Sequence, residues 1–504
     1  MNTRFSMGSG ALIAALTTST ASFADVTPQE VWGLWHDQFA NYGYDVTMTE
    51  SMSGDTLTIS GLSAIITLPE DDGTVTVTLG DLGFKDLGDG TVQIVWPAVM
   101  PINFTFEGDE TVEGTVNYST TELSMIASGA TDDMTVTFSA SEIGMSLARL
   151  IVEGNDASGA AQMSMTLGNV AGDTTFKTGN LRMQSQNMTA GTLGYDIAVV
   201  DPEGSGSFLM KGQTVDLNMA STTSLPLEMD MQDINAALKA GFGMDLAMTT
   251  GAGSSTFSFN DDGDNASGNS SSTGTRLALA MNEDALSYGL SSTGLAVSVM
   301  GSDIPMPINL TMAEVGFDLT MPISKADTPQ EFSSLIKVVD LAPEEMIWGM
   351  FDPTGALPHD PATLIIDVAG SMSWLFDIMD PEQQMAMADV DMPALLHTLD
   401  LKDLTVSFAG AELTGVGGFT FNNDDLETFD GLPAPDGSVD LKLVGANGLM
   451  DSLVAMGMLD ESDVMGARMM MGLFGRPGEG EDTTLSTIEI KSDGQILANG
   501  QRLQ

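Results

Sequence analysis

Apolar and polar residues alternate one by one through much of this chain, and that alternation limits its fold more than any other feature. Val75, Val77 and Leu79 are separated by threonines. The same pattern recurs at Val92–Trp96, Ile102–Phe106, Met134–Phe138 and Met163–Leu167. A period of two places apolar side chains on one face of a β-strand and polar ones on the other. The pattern predicts an antiparallel meander from Asp45 to about Ser324, with one apolar face and one Thr/Ser/Asn face.

Turn-forming residues separate these stretches. Asp72-Gly73 and Asp89-Gly90 supply the positive φ angles that tight hairpins require. The segment Gly251–Gly274 is rich in Gly, Ser, Asn and Asp. We interpret it as loose turns or a mobile loop that interrupts the sheet.

Helical signals are few. Thr27, Pro28 and Glu30 form a capping box at the start of a predicted amphipathic helix over 27–42. Other helices are predicted over Asp233–Gly241, 381–397 and 447–473. Strands are predicted near 363–369, 403–421 and 438–444, and a final hairpin joins Leu485–Lys491 to Ile496–Leu503.

The predicted fold class is mainly β with α (α+β). A long antiparallel meander, curled or sandwiched, carries a few amphipathic helices. After Lys325 the alternating strand pattern gives way to mixed helix and strand signals. We therefore divide the chain into a β-rich region over 25–325, which includes the N-terminal helix, and an α+β region over 326–504 that ends in a hairpin.

The composition of the chain excludes one class of partner and several kinds of site. Asp and Glu number 70 against 16 Lys and Arg, which gives a net charge of −54. Such a charge repels nucleic acid, so we expect no nucleic-acid partner. The sequence has no cysteine, which excludes disulfides, thiolate catalysis and cysteine zinc sites. Methionine is abundant, at 37 residues, and packs adaptably in a core, a partner surface or a lipid-lined groove.

Catalytic and cofactor motifs are not evident. His36, His359 and His397 lack metal-ligand spacing, and no G-x-S-x-G motif supplies a nucleophile. The acidic run Asn260–Asn265 could hold calcium, but no Glu stands at the twelfth loop position of an EF-hand. We predict no cofactor, no metal site and no catalytic residue. A hydrolase that uses paired carboxylates is the remaining enzymatic interpretation.

The first 24 residues have the pattern of a secretory signal peptide. Arg4 supplies the positive charge, Met7–Leu16 the short apolar core, and Ser22-Phe23-Ala24 a small-residue cleavage site. The apolar run is shorter than the ~20 residues that span a bilayer, so we expect it to be cleaved. We expect no transmembrane segment after cleavage, and export from the cytoplasm.

Several short sequence motifs in the second half of the chain resemble those of a known family. They are Ile347-Trp348-Gly349-Met350-Phe351-Asp352-Pro353, Leu357-Pro358-His359-Asp360-Pro361 and Ala498-Asn499-Gly500-Gln501-Arg502-Leu503. Together they resemble an alphaproteobacterial family of secreted proteins, domain of unknown function 2125. The resemblance implies a location in the periplasm of a Gram-negative cell. It carries no catalytic residues over to this chain.

Many predicted strands have one apolar face, and the predicted helices are too few to cover these faces. Because an apolar sheet face must be buried against something, this imbalance points towards function. Our leading hypothesis is a non-enzymatic periplasmic protein whose curled sheet holds a lipid or another apolar ligand for envelope maintenance. The predicted ligand face includes Val75, Val77, Ile94, Phe104, Phe106, Val136 and Phe138. The alternative is a structural envelope protein with a closed core, which binds a partner through its polar faces or the Met-rich segment 456–474.

Overall fold

A computed structural model describes residues 25–41, 44–68, 73–201, 204–227 and 233–503. The predicted signal peptide and Asp72 of the first predicted turn lie outside these residues. Gly90 of the second turn has the expected positive φ, 85°. Among the described residues, each helix is too short or too polar to cross a membrane.

The described residues form six α-helices and one sheet of 28 strands. The helices are α1 (Pro28–Asn41), α2 (Ile234–Lys239), α3 (Glu345–Phe351), α4 (Pro381–Met387), α5 (Ala446–Ala455) and α6 (Glu461–Phe474). The first strands are β1 (Asp45–Ser53), β2 (Thr56–Thr67), β3 (Thr74–Leu79), β4 (Leu82–Asp86), β5 (Val92–Val95), β6 (Val99–Glu107), β7 (Thr111–Thr121), β8 (Ser124–Ala130), β9 (Asp133–Val152) and β10 (Asn155–Asp156). The mainly β class with α is thereby confirmed.

Longer strands form the middle of the sheet. They are β11 (Ala161–Thr178), β12 (Leu181–Val200), β13 (Ser207–Pro226), β14 (Gly243–Thr250), β15 (Gly253–Asp261), β16 (Asp264–Ser272), β17 (Gly274–Met281), β18 (Ala285–Gly301) and β19 (Ile304–Pro322). The remaining strands are β20 (Gln330–Pro343), β21 (Ala362–Trp374), β22 (Ala394–Phe408), β23 (Ala411–Asn422), β24 (Ala434–Val444), β25 (Arg476–Pro477), β26 (Thr483–Ile490), β27 (Ile496–Ala498) and β28 (Gln501–Arg502).

The strands pair antiparallel, mostly with their neighbours in sequence. From β18 onward the order of pairing follows the chain through β19, β20, β21, β22, β23, β24 and β26. Elsewhere a long strand faces two short ones placed end to end. For example, β13 faces β14 and β15, and β18 faces β17 and β16. Because β19 pairs with β20, the sheet is continuous across Lys325.

A line of irregular residues crosses the long strands, near the middle of β11, β13 and β18 and nearer the end of β20. Asn169, Asp216, Gly294 and Asp340 have left-handed φ angles of 53°, 52°, 56° and 53°. We call this line the crease. At each of these residues the pairing with the next strand skips, as between Gly168↔Thr192 and Val170↔Ala190. Leu167 and Phe176, on either side of Asn169, line the same cavity, so the side-chain alternation of β11 shifts by one residue at the crease and its apolar residues stay on one face.

The first helix begins as the sequence predicts. The Thr27 N–H donates to Glu30 Oε2 at 2.9 Å, and the Glu30 N–H donates to Thr27 Oγ1 at 3.3 Å, which confirms the capping box. The helix covers the largest buried cluster of the described residues, in which Val31 and Trp32 pack with Ile59, Phe84 and Met134.

Two predictions of local structure are wrong. Gly251–Gly274 is not a loose loop, because Gly253–Asp261 and Asp264–Ser272 form the hairpin β15–β16. Its Ser, Asn and Gly residues satisfy their backbone groups in the ladder despite their low strand propensity. The helix predicted over 381–397 ends at Met387, and Ala394 already begins β22, which pairs with β21. The helical prediction over 447–473 is confirmed, since two helices, α5 and α6, occupy this stretch.

Candidate apolar binding face

One face of the sheet carries a continuous row of paired residues that are apolar up to the last member, Ser486. Each residue of this row lies directly opposite the next across a pair of neighbouring strands. The row consists of Phe138, Gly172, Met188, Met219, Met248, Leu277, Leu290, Phe317, Ile336, Ile366, Leu404, Gly415, Leu441 and Ser486. We call it the central row, and the face that carries it the apolar face. At about 4.8 Å per strand, its path along the sheet measures about 60 Å.

The opposite face of the same strands carries mainly polar or small residues. The residues that follow the central row by one position include Asp173, Ala220, Asp318 and Asp367, which lie on this polar face. On the polar face Arg276 pairs with Asp318 at 3.0 Å. The sheet is therefore divided into two chemically distinct faces over most of its length.

The middle of the apolar face is open. The main helix packing lies near the two ends of the sheet, where α1 contacts β1, β2 and β4, and α5 and α6 contact β23 and β26. Between them, Leu290, Phe317 and Ile336 of the central row remain 42%, 37% and 41% exposed. Exposed apolar side chains that adjoin one another in a row are typical of binding surfaces rather than of ordinary protein surface.

Under α1 the apolar face forms a cavity of about 330 Å³. Trp35 of α1 lines it together with Tyr118, Phe138, Leu167 and further residues of β8, β9, β11 and β12. Two side-chain hydrogen bonds join helix α1 to the sheet. Its Trp32 Nε1 donates to Glu50 of β1 at 2.8 Å, and its Gln38 Nε2 donates to Gln184 of β12 at 2.9 Å.

Residues beside the crease are buried although they lie on a sheet surface. Val170, Ala190 and Leu217 are paired across β11, β12 and β13 and form one cluster of buried side chains. The side chains packed against them come from the same and adjacent strands, such as Leu167 and Met219. The burial therefore comes from neighbouring parts of the sheet.

Two more apolar cavities lie at the other end of the face. Trp348 of α3, Phe408 and Met456 line one of about 360 Å³. Phe474 of α6 and Leu441 of the central row line another of about 400 Å³. Volumes of this size fall in the range of small-molecule sites.

A polar cluster borders the cavity at α3. Asp352 is buried, and its carboxylate accepts the Leu357 N–H at 2.6 Å and the Thr354 hydroxyl at 3.1 Å. The bond from Leu357 is the main reason that the pKa of Asp352 falls to about 2. The His359 ring stacks on Trp348 with 4.5 Å between ring centroids, and its Nδ1 lies 3.0 Å from Glu345. The cluster fixes the segment that follows α3.

The other two histidines lie apart from His359 in sequence and have different partners. His397 Nε2 lies 2.9 Å from Ser373 Oγ, a contact that sequence patterns did not indicate. The spacing suits a nucleophile and its base, but Ser373 is only 3% exposed, which closes its hydroxyl to a substrate. His36 lies on α1, 3.9 Å from its neighbour Asp37. Within the described residues, no three His, Asp or Glu side chains group to hold a metal ion.

The seven predicted ligand-face residues all lie on the apolar face. Val75 pairs with Phe106, and Val77 with Phe104. Phe138 lies in the central row and lines the cavity under α1. Ile94 and Val136 are 2% and 3% exposed in the cluster that α1 covers, so they contribute to the core there.

The sequence pattern alone does not identify the central row beyond Phe138. Its signal is the alternation at Leu286, Tyr288 and Leu290, which continues the pattern of the first strands. Recognising the row requires the register of each strand pair, which the alternation leaves open. Comparison with protein-family models, curated proteins and solved structures gave no match to this chain.

Proposed function

We propose that this is a non-enzymatic periplasmic protein that holds a lipid or another apolar ligand along the apolar face, in a groove made by the curled sheet, for envelope maintenance. The observation that carries the proposal is the central row, which is apolar across neighbouring strands and exposed at Leu290, Phe317 and Ile336. In water these side chains gain about 25 cal/mol for each Å² of apolar surface that a ligand covers.

The contacts of α1 support the curl. Its Trp32 reaches β1 and its Gln38 reaches β12. From Trp32 to Gln38 the helix advances by six residues, which is about 9 Å along its axis. Seven strand spacings separate β1 from β12 along the ladder through β2, β4, β5, β8, β9 and β11, which is about 33 Å in a flat sheet. A sheet that curls around α1 brings the two strands within reach of one short helix.

The crease supports a groove whose inner surface is the apolar face. Residues on the inside of a bend are shielded by the flanking parts of the same strands, and those on the outside are more exposed. Val170, Ala190 and Leu217 lie on the apolar face at the crease and are buried. Asp216, at the crease itself, is exposed. This difference favours a bend that closes towards the apolar side.

The dimensions suit acyl chains. One leaflet of a bilayer core is about 15 Å deep, half of the ~30 Å hydrocarbon thickness. The central row, at about 60 Å, offers several times the length of one such chain. The cavities at its two ends, of about 330, 360 and 400 Å³, are open pockets that can take parts of a ligand.

The test is native mass spectrometry of mature protein purified from its own periplasm, followed by solvent extraction and lipid analysis. We expect a reproducible lipid-sized adduct that extraction removes. A ligand-free mass at every purification, together with failure to bind added lipid, would contradict the proposal.

A second candidate is a partner-binding envelope protein, favoured by one surface. Met465, Met469 and Leu473 of α6 recur every four residues and are strongly exposed, so they form an apolar stripe on the outer side of that helix. Crosslinking in intact envelopes, with Met465→Lys/Met469→Lys as the comparison, tests this candidate. Loss of one specific crosslinked protein in the variant supports it, and an unchanged crosslinking pattern contradicts it.

A further inference from the structure

Arg182 is a basic residue on the apolar face. It lies on β12, opposite Thr178 of β11 and Leu225 of β13, and on the same side as Gln184 and Met188. Five other basic residues of neighbouring or later strands are on the polar face. They are Lys177, Lys211, Arg276, Lys337 and Lys442. In a chain with only 16 Lys and Arg, this position for a guanidinium calls for a physical reason.

The Arg182 guanidinium is incompletely paired. Its Nη2 lies 3.9 Å from Asp37 of α1, whose side chain is largely exposed. Its Nη1 is fully buried and has no hydrogen-bond partner among the described residues. A buried charged donor without an acceptor is unfavourable, because it has lost its bonds to water without replacing them. An acceptor supplied by a ligand would remove that penalty.

A second buried donor lies at the same end of the face. Trp96 Nε1 is also buried without a partner. The Trp96 ring packs on Trp35 and on Tyr118, with centroids 6.4 and 5.7 Å apart, and both of those residues line the cavity under α1. Burial raises the pKa of Tyr118, so its hydroxyl stays protonated as well. Two buried donors without partners, Arg182 Nη1 and Trp96 Nε1, therefore lie at the end of the apolar face that α1 covers, where the protonated Tyr118 lines the cavity.

We infer that Arg182 binds the anionic headgroup of an amphipathic ligand whose apolar part lies in the cavity under α1. The inference rests on the proposed function and adds a ligand class to it. The shared chemistry is an oxyanion, either the carboxylate of a fatty acid or the phosphate of a phospholipid. The planar guanidinium presents paired N–H donors that match both groups. The bound oxyanion replaces the Asp37 carboxylate as the partner of Arg182, and the carboxylate returns to water.

The test compares anionic and neutral amphiphiles of matched apolar part on the mature protein. The carboxylate arm uses oleate and oleyl alcohol, and the phosphate arm uses dioleoyl phosphatidic acid and dioleoylglycerol. We expect the wild-type protein to prefer the anionic member of at least one pair by about tenfold, and that arm identifies the headgroup. Arg182→Gln removes the preference and leaves the affinity for the neutral member unchanged. Lys177→Gln, on the polar face of the neighbouring strand, leaves both affinities unchanged.

Asp37→Asn provides a second variant that does not alter the arginine. It removes the competing carboxylate, so we expect the affinity for the anionic ligand to rise severalfold with no change for the neutral one. Equal affinity of the wild type for both members of both pairs overturns the inference and leaves the proposed function standing. Binding of no amphiphile at all overturns the proposed function itself.

Discussion

Lys239 of α2 and Asp377, which follows β21, form an ion pair of 2.6 Å although 138 residues separate them. The Asp377 carboxylate also accepts the Lys325 N–H at 2.9 Å, from the segment that links β19 to β20. Three segments far apart in the sequence are therefore joined at one buried carboxylate. The contact lies beside the cluster of Leu225, Leu238 and Ile323, near the ends of β13 and β19.

Substitutions at this pair should have unequal effects on stability. Burial disfavours the ionised form of Asp377, yet the bonds from Lys239 and Lys325 leave its pKa lowered overall. Asp377→Ala removes every one of these bonds, and we expect it to lower the free energy of unfolding by about 2–3 kcal/mol. Lys239 is 45% exposed, so Lys239→Met should cost only about 1 kcal/mol. Urea unfolding monitored by circular dichroism measures both, and equal losses would contradict the assignment.

The buried carboxylate of Asp352 should make stability depend on acid pH. Its pKa is about 2 in the folded protein, below the ordinary value of 3.8. A lowered pKa means that its contribution is fully present above pH 4 and is lost as the pH falls from about 4 to 2. Asp352→Asn removes this titration. We expect a flatter loss of stability in the variant between pH 4 and 2, measured by urea unfolding at each pH. Parallel pH profiles of the two proteins would show that another group is responsible.

The central row predicts a face-specific effect on ligand binding. Ile336 is exposed on the apolar face, and its neighbour Leu335 lies on the polar face. Ile336→Glu places a charge in the path of an apolar ligand, so we expect the amount of co-purified lipid to fall severalfold. Leu335→Glu makes the same chemical change on the other face and should retain the wild-type amount. A similar loss in both variants would falsify the assignment of the ligand to the apolar face.

The crease can be tested at one exposed residue. Asp216 has a φ of 52° and an exposed side chain, so substitutions there report mainly on the backbone. Asp216→Gly should preserve or slightly increase stability, since glycine adopts this conformation without a steric cost. Asp216→Val should lower the free energy of unfolding by about 1–2 kcal/mol, because a β-branched residue is strained at positive φ. Thermal unfolding compares the three proteins, and equal stability of the Gly and Val variants would mean that the left-handed conformation is not retained.

The sequence predicts the strands of this protein better than it predicts their arrangement. Alternation around Val75 and Phe138 is enough to place both on an apolar face, because the period of two is a local property. The crease is different. Asn169, Asp216 and Asp340 adopt left-handed angles that asparagine and aspartate tolerate, but nothing local requires them to do so. Their conformation follows from pairing with neighbouring strands, which the sequence pattern does not reveal.

The two errors of local prediction have a common cause. Gly251–Gly274 has the composition of a loop, yet Thr256 and Phe257 pair in register with both β13 and β16. Strand partners on both sides supply hydrogen bonds that composition does not report. Near Ala394 the apolar residues suited a helix as well as a strand, and the pairing of Ala394 with Trp374 decides for a strand. Arg182 illustrates the same limit for the candidate site, since its face depends on the register of β12.

The mainly sequential ladder has a consequence for how such a protein can change in length. Removal of one hairpin, for example β20 and β21, leaves β19 and β22 antiparallel and able to pair, with the topology of every other strand unchanged. Each such deletion shortens the apolar face by about 10 Å, and each duplication lengthens it by the same amount. The length of the apolar face can therefore change in steps of two strands while the pairing of every remaining strand is kept.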